Sequence, residues 1–151
     1  MGWWILLFPT TYWVHIAEEI WGGFPARIAE ATGVAISDGA FLAANALLWT
    51  LMATVVVLVL RSPSRAPLVV ALATVVTINA AVHAGGTLLT ASYSPGLVSA
   101  VLLWLPLGVM TLVRGHRVLA ARSFRSGVLI GVVAHAFVPL IAMGFALALR
   151  G

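Results

Sequence analysis

One imidazole and two carboxylates lie close together near the beginning of the chain, at His15, Glu18 and Glu19. Residues three or four positions apart share one face of a helix, so a helical segment would place His15 beside both glutamates. The surrounding segment is apolar, and the chain has only four acidic residues in all. Because ionisable side chains inside a membrane are costly, we interpret this group as a functional site.

A second polar group lies in a later apolar segment, where Asn79 and His83 are four residues apart. Imidazole and carboxylate groups are ligands that suit zinc, iron and manganese. We therefore predict a divalent metal site, with zinc as the first candidate and iron or manganese as alternatives. The predicted ligands are His15, Glu18, Glu19 and His83, with His135 as a further candidate. The predicted catalytic residues are His15, Glu18, Glu19, His83 and Asn79, whereas Asn45 is assigned a structural role.

These side chains are compatible with three kinds of function. In the first, a bound metal acidifies a water molecule and the second glutamate serves as a general base. In the second, a glutamate in an apolar pocket and a neighbouring histidine move protons without a metal, as an isomerase, cyclase or hydrolase requires. In the third, the cluster binds and passes an ion or a proton. We expect a membrane enzyme that acts on a hydrophobic or lipid-like substrate, and the residues do not separate a hydrolase from an oxidoreductase.

The composition indicates which elements position these groups. The 151 residues are 62% hydrophobic and 8% charged, with a mean hydropathy of +1.12. Soluble domains carry about 25% charged residues, so an integral membrane protein is predicted. Apolar runs of about 20 residues predict an all-α bundle of five transmembrane helices in one domain, residues 1–151. The predicted spans are residues 3–21, 39–60, 68–90, 97–113 and 126–149.

The arginines indicate an orientation in the membrane. All eight basic residues are arginines, and six of them fall in two short loops, at 61–65 and 114–125. The positive-inside rule places both loops, and the N-terminus, in the cytoplasm and the C-terminus outside. These loops would touch anionic lipid, and their position argues against nucleic acid as a partner. At about 1.5 Å per helical residue, His15, Glu18, Glu19 and His83 then reach a similar level in the outer half of the membrane.

Other features narrow the possible cofactors and partners. Cysteine is absent, and the sequence has no phosphate-binding loop and no dinucleotide fingerprint, so no haem or nucleotide cofactor is expected. Gly127 and Gly131 form a small-xxx-small helix-packing signal. We expect this face to contact another helix, with a homo-oligomer as one outcome.

The motifs resemble a known family. His15-Ile16-Ala17-Glu18-Glu19 reads as the signature of the HXXEE family of small bacterial membrane proteins. The resemblance continues through Asn79-Ala80-Ala81-Val82-His83, Tyr93-Ser94-Pro95-Gly96 and Leu103-Trp104-Leu105-Pro106. It implies a polar core that contains His15, Glu18, Glu19 and His83, and a location in the bacterial inner (cytoplasmic) membrane as a multi-pass protein. It implies no particular reaction.

Overall fold

The computed structural model describes residues 2–149, and every regular element within this range is helical. The order is a 3-10 turn Trp3–Leu6, α1 Leu7–Trp21, α2 Phe24–Thr32, α3 Asp38–Arg61, a 3-10 turn Pro63–Arg65, α4 Pro67–Thr90, α5 Leu97–Ser99, a π-helical stretch Ala100–Trp104, α6 Leu105–Val118 and α7 Ala121–Ala148. The elements from α5 to α6 are continuous and form one long helix, Leu97–Val118.

Four helical stretches are long and apolar enough to cross a membrane, which indicates a multi-pass membrane protein. They are Asp38–Arg61, Pro63–Thr90, Leu97–Val118 and Ala121–Ala148. The prediction of five spans is therefore wrong in number. The first segment divides into a 3-10 turn and α1, which has 15 residues. At about 1.5 Å per residue, α1 is roughly 22 Å long and falls short of a hydrocarbon core of about 30 Å.

Helix α4 is the centre of the bundle and packs against α3, α6 and α7. Half of its most apolar window is buried inside the protein, compared with 6% for α7. Helix α7 therefore presents most of its apolar side chains outward, as expected for a helix that faces lipid. An apolar core fills the space between α1, α3, α4 and the helix 97–118, and its most buried members include Ile5, Phe8, Val56, Val59, Val69 and Val76.

The contact between α4 and α7 uses the two predicted small residues. A Cβ atom at Gly127 would lie 2.4 Å from the Pro67 carbonyl oxygen, and one at Gly131 would lie 2.6 Å from that of Ala71. Both glycines are buried. The small-xxx-small face thus packs against α4 of the same chain.

The turn between α4 and α5 has a tightly specified backbone. The amide of Leu97 donates to the Ser94 carbonyl at 3.0 Å, and Gly96 has φ 95° and ψ −10°. A proline followed by a glycine with positive φ is the signature of a type II turn, whose third residue requires φ near +80°. The sequence Ser94-Pro95-Gly96-Leu97 therefore fixes how the helix 97–118 begins beside α1.

Candidate metal centre

Three predicted residues converge at one point between α1 and α4. The Nε2 atom of His15 lies 3.4 Å from Oε1 of Glu19, and Nε2 of His83 lies 3.3 Å from the same oxygen. One ligand atom from each residue lies within 4.8 Å of those from the other two. We call His15, Glu19 and His83 the trio.

The helices explain this convergence. His15 and Glu19 are four residues apart, so they lie one above the other on the same face of α1. His83 approaches from α4 and is the third member of the trio. The three residues are 1%, 4% and 2% exposed, respectively, so the trio is shielded from its surroundings. Buried ionisable groups require a partner that balances their charge and polarity.

Two serines hold the other nitrogen of each imidazole. Nδ1 of His15 lies 2.9 Å from Oγ of Ser99, and Nδ1 of His83 lies 3.1 Å from Oγ of Ser94. The Ser99 hydroxyl is within hydrogen-bond distance of the Gly96 carbonyl at 3.2 Å. When it donates there, its oxygen accepts from Nδ1–H of His15, and Nε2 of that neutral tautomer carries a lone pair.

Nε2 of His15 is buried, has no hydrogen-bond partner within residues 2–149, and faces the Glu19 carboxylate. A nitrogen lone pair and a carboxylate oxygen repel each other unless a positive charge lies between them. A charge-assisted N–H···O hydrogen bond usually measures about 2.7–2.9 Å, whereas both separations here are longer. Two ligands at about 2.0–2.2 Å from a tetrahedral ion lie roughly 3.3–3.6 Å apart. The donor set and the spacing therefore fit a divalent metal.

Aromatic rings fix the plane of each imidazole. The Trp104 ring lies against that of His15, with centroids 3.9 Å apart and an interplanar angle of 33°. The two histidine rings meet edge to face at 5.1 Å, and Phe24 lies 5.4 Å from the ring of His83. Trp104 ends the π-helical stretch two residues before Pro106, which has no amide hydrogen to donate. Such π-helical turns are frequent at functional sites.

The type II turn closes over the trio. A Cβ atom at Gly96 would lie 2.8 Å from Cε1 of His83, 2.9 Å from Cε1 of His15 and 3.0 Å from Cγ of Glu19. A Cβ atom at position 96 would thus come too close to all three members of the trio, so a larger residue there requires a neighbour to move. The positive φ of Gly96 is also a conformation that side chains with a Cβ adopt at a cost.

Glu18 has a different role from Glu19. Its carboxylate accepts hydrogen bonds from the backbone amides of Val98 at 2.8 Å and Ser99 at 2.7 Å, and from the Tyr93 hydroxyl. Partial burial acts to raise the pKa of the Glu18 carboxyl, but hydrogen bonds from Ser99, Tyr93 and Val98 outweigh it and lower the pKa to about 2. Partial burial and the Glu18 carboxylate raise the pKa of Tyr93 to about 12. Glu18 therefore caps the helix 97–118 as a carboxylate and stands outside the trio.

Asn45, Asn79 and His135 are not part of the trio. Asn79 lies one helical turn before His83, and its buried Oδ1 atom has no hydrogen-bond partner in the part of the chain that the structure describes. Asn45 accepts from the Tyr12 hydroxyl at 2.7 Å and donates to the Phe41 carbonyl, which is a structural arrangement. His135 is partly exposed on α7.

An open, mostly apolar groove of about 610 Å³ lies beside the trio, between α1 and the beginning of the helix 97–118. Its lining is Val14, Glu18, Trp21, Gly22, Tyr93, Val98, Ser99, Leu102 and Leu103. Glu18, Tyr93 and Ser99 supply its polar end. Since the hydroxyl of Ser99 contacts His15, the groove reaches within one side chain of the trio.

Residues 6–111 match the family described as proteins of unknown function with an HXXEE motif. The chain belongs to the HXXEE family. In this chain the motif comprises His15, Glu18 and Glu19, and the match extends through His83, the type II turn and Trp104. It therefore spans all three members of the trio and the residues that hold them. No curated protein and no solved structure matches the chain.

Sequence reasoning did not assign roles to several residues that build this HXXEE site. They are Ser94, Ser99, Gly96, Trp104 and Tyr12. The Pro95-Gly96 pair was a usable signal, because it predicts a turn directly after the helix that carries His83. The serines gave no comparable signal, since serine is common in turns for reasons unrelated to a site.

Proposed function

We propose that this protein is a membrane-embedded metalloenzyme that binds a divalent metal through His15, Glu19 and His83 and acts on a lipid-like substrate. The observation that carries the proposal is the orientation of His15. Its Nδ1 contacts Ser99, and its Nε2 points at the carboxylate oxygen that His83 also faces. In the tautomer whose Nδ1–H donates to Ser99, that Nε2 carries a lone pair for a metal. A metal ion is the partner that satisfies all three groups together.

Zinc is the first candidate and iron or manganese are the alternatives. Two histidines and one carboxylate are a ligand set that zinc hydrolases use, and they are also the set of non-haem iron oxygenases. Gly96 and Trp104 pack directly against the trio, so little room is left for additional ligands. This enclosure favours the lower coordination number of zinc, and zinc in turn favours hydrolysis over oxidation.

The residues around the trio have separable tasks under this proposal. A bound divalent metal would supply Lewis acidity and an acidified water. Ser94 and Ser99 orient the imidazoles by contacting their Nδ1 atoms, as hydrogen-bonded residues behind metal ligands commonly do. Glu18 holds the beginning of the helix 97–118, and thereby Ser99, against α1. Glu18 is therefore proposed as a positioning residue in place of the general base.

A lipid-like substrate is supported by the groove beside the trio. Its walls are apolar side chains of α1 and of the helix 97–118, and its polar end lies at Glu18, Tyr93 and Ser99. An amphiphile would place its chain along Val14 and Leu102 and its polar group near Ser99. The helices on either side belong to a multi-pass membrane protein, so such a molecule can enter the groove from the bilayer.

Two other functions use the same residues. A metal-free acid–base enzyme is supported by the contacts between Glu19 and both imidazoles, which would move a proton among the three groups. Transport of an ion or proton receives less support, because the core between the trio and the arginine-rich end is apolar and includes Phe8, Val56 and Val76. A polar path through that half is absent from the buried core of residues 2–149.

We also propose the orientation predicted by the positive-inside rule. Six arginines lie at or beside the connections between α3 and α4 and between α6 and α7. Both connections are at one end of the bundle, which would be cytoplasmic in a bacterial inner membrane. His83 lies roughly 24 Å from the beginning of α4 at that end and about 10 Å from its other end. The trio would then lie in the outer half of the membrane.

The decisive experiment is elemental analysis of detergent-purified protein, prepared without metal-affinity resin or chelator. We expect about one metal per chain in the wild type. His15→Ala, His83→Ala and Glu19→Gln should each lose it, whereas the matched variant Glu18→Gln should keep it. A wild type without metal, or equal metal content in Glu19→Gln and the wild type, would reject the metal site and leave the acid–base enzyme as the better account.

A further inference from the structure

The charges of this protein are divided between the two ends of the bundle. All four acidic residues lie within the first 38 positions, whereas six arginines lie at or beside the connections between α3 and α4 and between α6 and α7. Asp38 and Arg61 mark the two ends of α3, which are about 35 Å apart. The arginine-rich end therefore has no acidic residue nearby to neutralise it.

A cavity of about 230 Å³ opens at this arginine-rich end, far from the trio. Its apolar walls come from α4, from the end of α6 and from the residue that follows α6. They include Val69, Val70, Val118 and Leu119. Trp4 and Arg114 also line the cavity. The cavity thus combines an apolar interior with one permanent positive charge.

The charged group of this cavity, the Arg114 guanidinium, is exposed and forms no salt bridge with any carboxylate within residues 2–149. The hydroxyl of Thr111 already donates to the Leu107 carbonyl, and Nε1 of Trp4 is too deeply buried for a ligand in the cavity to reach. An unpaired guanidinium favours a ligand that accepts hydrogen bonds and carries negative charge.

We infer that this cavity binds the phosphate group of an anionic membrane phospholipid. The phosphate would accept from the Arg114 guanidinium, while the first part of an acyl chain lies against Val69 and Val118. Basic pockets between transmembrane helices bind anionic lipid head groups by this combination. The apolar walls favour a lipid over free phosphate, because free phosphate would leave them uncovered. This inference is independent of the metal site.

The test is native mass spectrometry of the full chain in detergent, titrated with phosphatidylglycerol or phosphatidylcholine. We expect one phosphatidylglycerol to bind more tightly than phosphatidylcholine. Arg114→Gln should weaken the binding of phosphatidylglycerol about tenfold. The matched control is Arg122→Gln, which removes the same charge outside the cavity.

Two results would overturn the inference. If Arg122→Gln weakens binding as much as Arg114→Gln, the lipid responds to the overall charge of the arginine-rich end. If glycerol 3-phosphate without acyl chains binds as tightly as phosphatidylglycerol, the site recognises a soluble phosphate.

Discussion

Gly96 is the position at which one added methyl group tests the geometry of the trio most directly. In Gly96→Ala, the new Cβ would lie 2.8 and 2.9 Å from the Cε1 atoms of His83 and His15, and 3.0 Å from Cγ of Glu19. Ordinary contacts between carbon atoms are about 3.5–4.0 Å. The methyl group must therefore push at least one ligand away, because the rings are held on their other sides by Trp104 and Phe24.

The cost has two parts that can be measured separately. A non-glycine residue at φ +95° costs roughly 1–2 kcal/mol in backbone strain. Overpacking a buried site adds typically about 1–3 kcal/mol. Gly33 provides a matched control, because it also has a positive φ of 71° but a Cβ there would meet nothing within 4 Å. Gly33→Ala should therefore show a similar strain without the contact with the trio.

The assay is metal affinity by competition with a chelator, combined with thermal unfolding of both variants in detergent. We expect Gly33→Ala to bind metal like the wild type and Gly96→Ala to bind it about 5- to 150-fold more weakly, which corresponds to the overpacking cost. If Gly96→Ala binds metal as tightly as the wild type, the close contact of Gly96 with the trio is refuted. An equal loss in both variants would show that backbone strain alone disturbs the site.

Two further predictions concern the residues around the trio. Glu18→Gln should lower the melting temperature by roughly 2–8 °C while metal stays bound, because one of the amides of Val98 and Ser99 then faces an NH₂ group. Since the Glu18 pKa is lowered from 4.5 to about 2, its contribution should be present above pH 4.5 and lost as the pH falls towards 2; a chelated wild type with the same pH profile as Glu18→Gln would contradict this. Ser99→Ala and Ser94→Ala should each weaken metal binding about 10- to 100-fold without removing a ligand, as measured by the same competition assay, and unchanged affinity would exclude their orienting role.

The sequence predicted the helical membrane fold because hydropathy reports directly which segments prefer lipid. The predicted spans 39–60 and 68–90 lie within one residue of Asp38–Arg61 and close to Pro67–Thr90. The later helices differ more, since α6 continues to Val118 and α7 already begins at Ala121. Arginine is a good helix former, so α6 and α7 extend into the basic segment 114–125, although the apolar pattern ends before that segment.

Helical periodicity and the estimated depth of each residue in the membrane predicted part of the site. Both placed His15, Glu19 and His83 at a similar level, and the structure places these three side chains close together. Periodicity does not separate Glu18 from Glu19, because positions three and four after His15 both lie near its face. The difference arises from a tertiary contact, the amides at the beginning of the helix 97–118, which the local sequence of α1 does not report.

This contact gives a physical reason for two adjacent glutamates in the motif. Consecutive residues on a helix point about 100° apart, so Glu19 can face the histidines only if Glu18 faces a neighbouring element. That element is the beginning of the helix 97–118, whose free amides and positive dipole end attract a carboxylate. The same helix carries Ser99, whose hydroxyl contacts Nδ1 of His15. One glutamate therefore faces the histidines, while its neighbour anchors the helix that orients one of them.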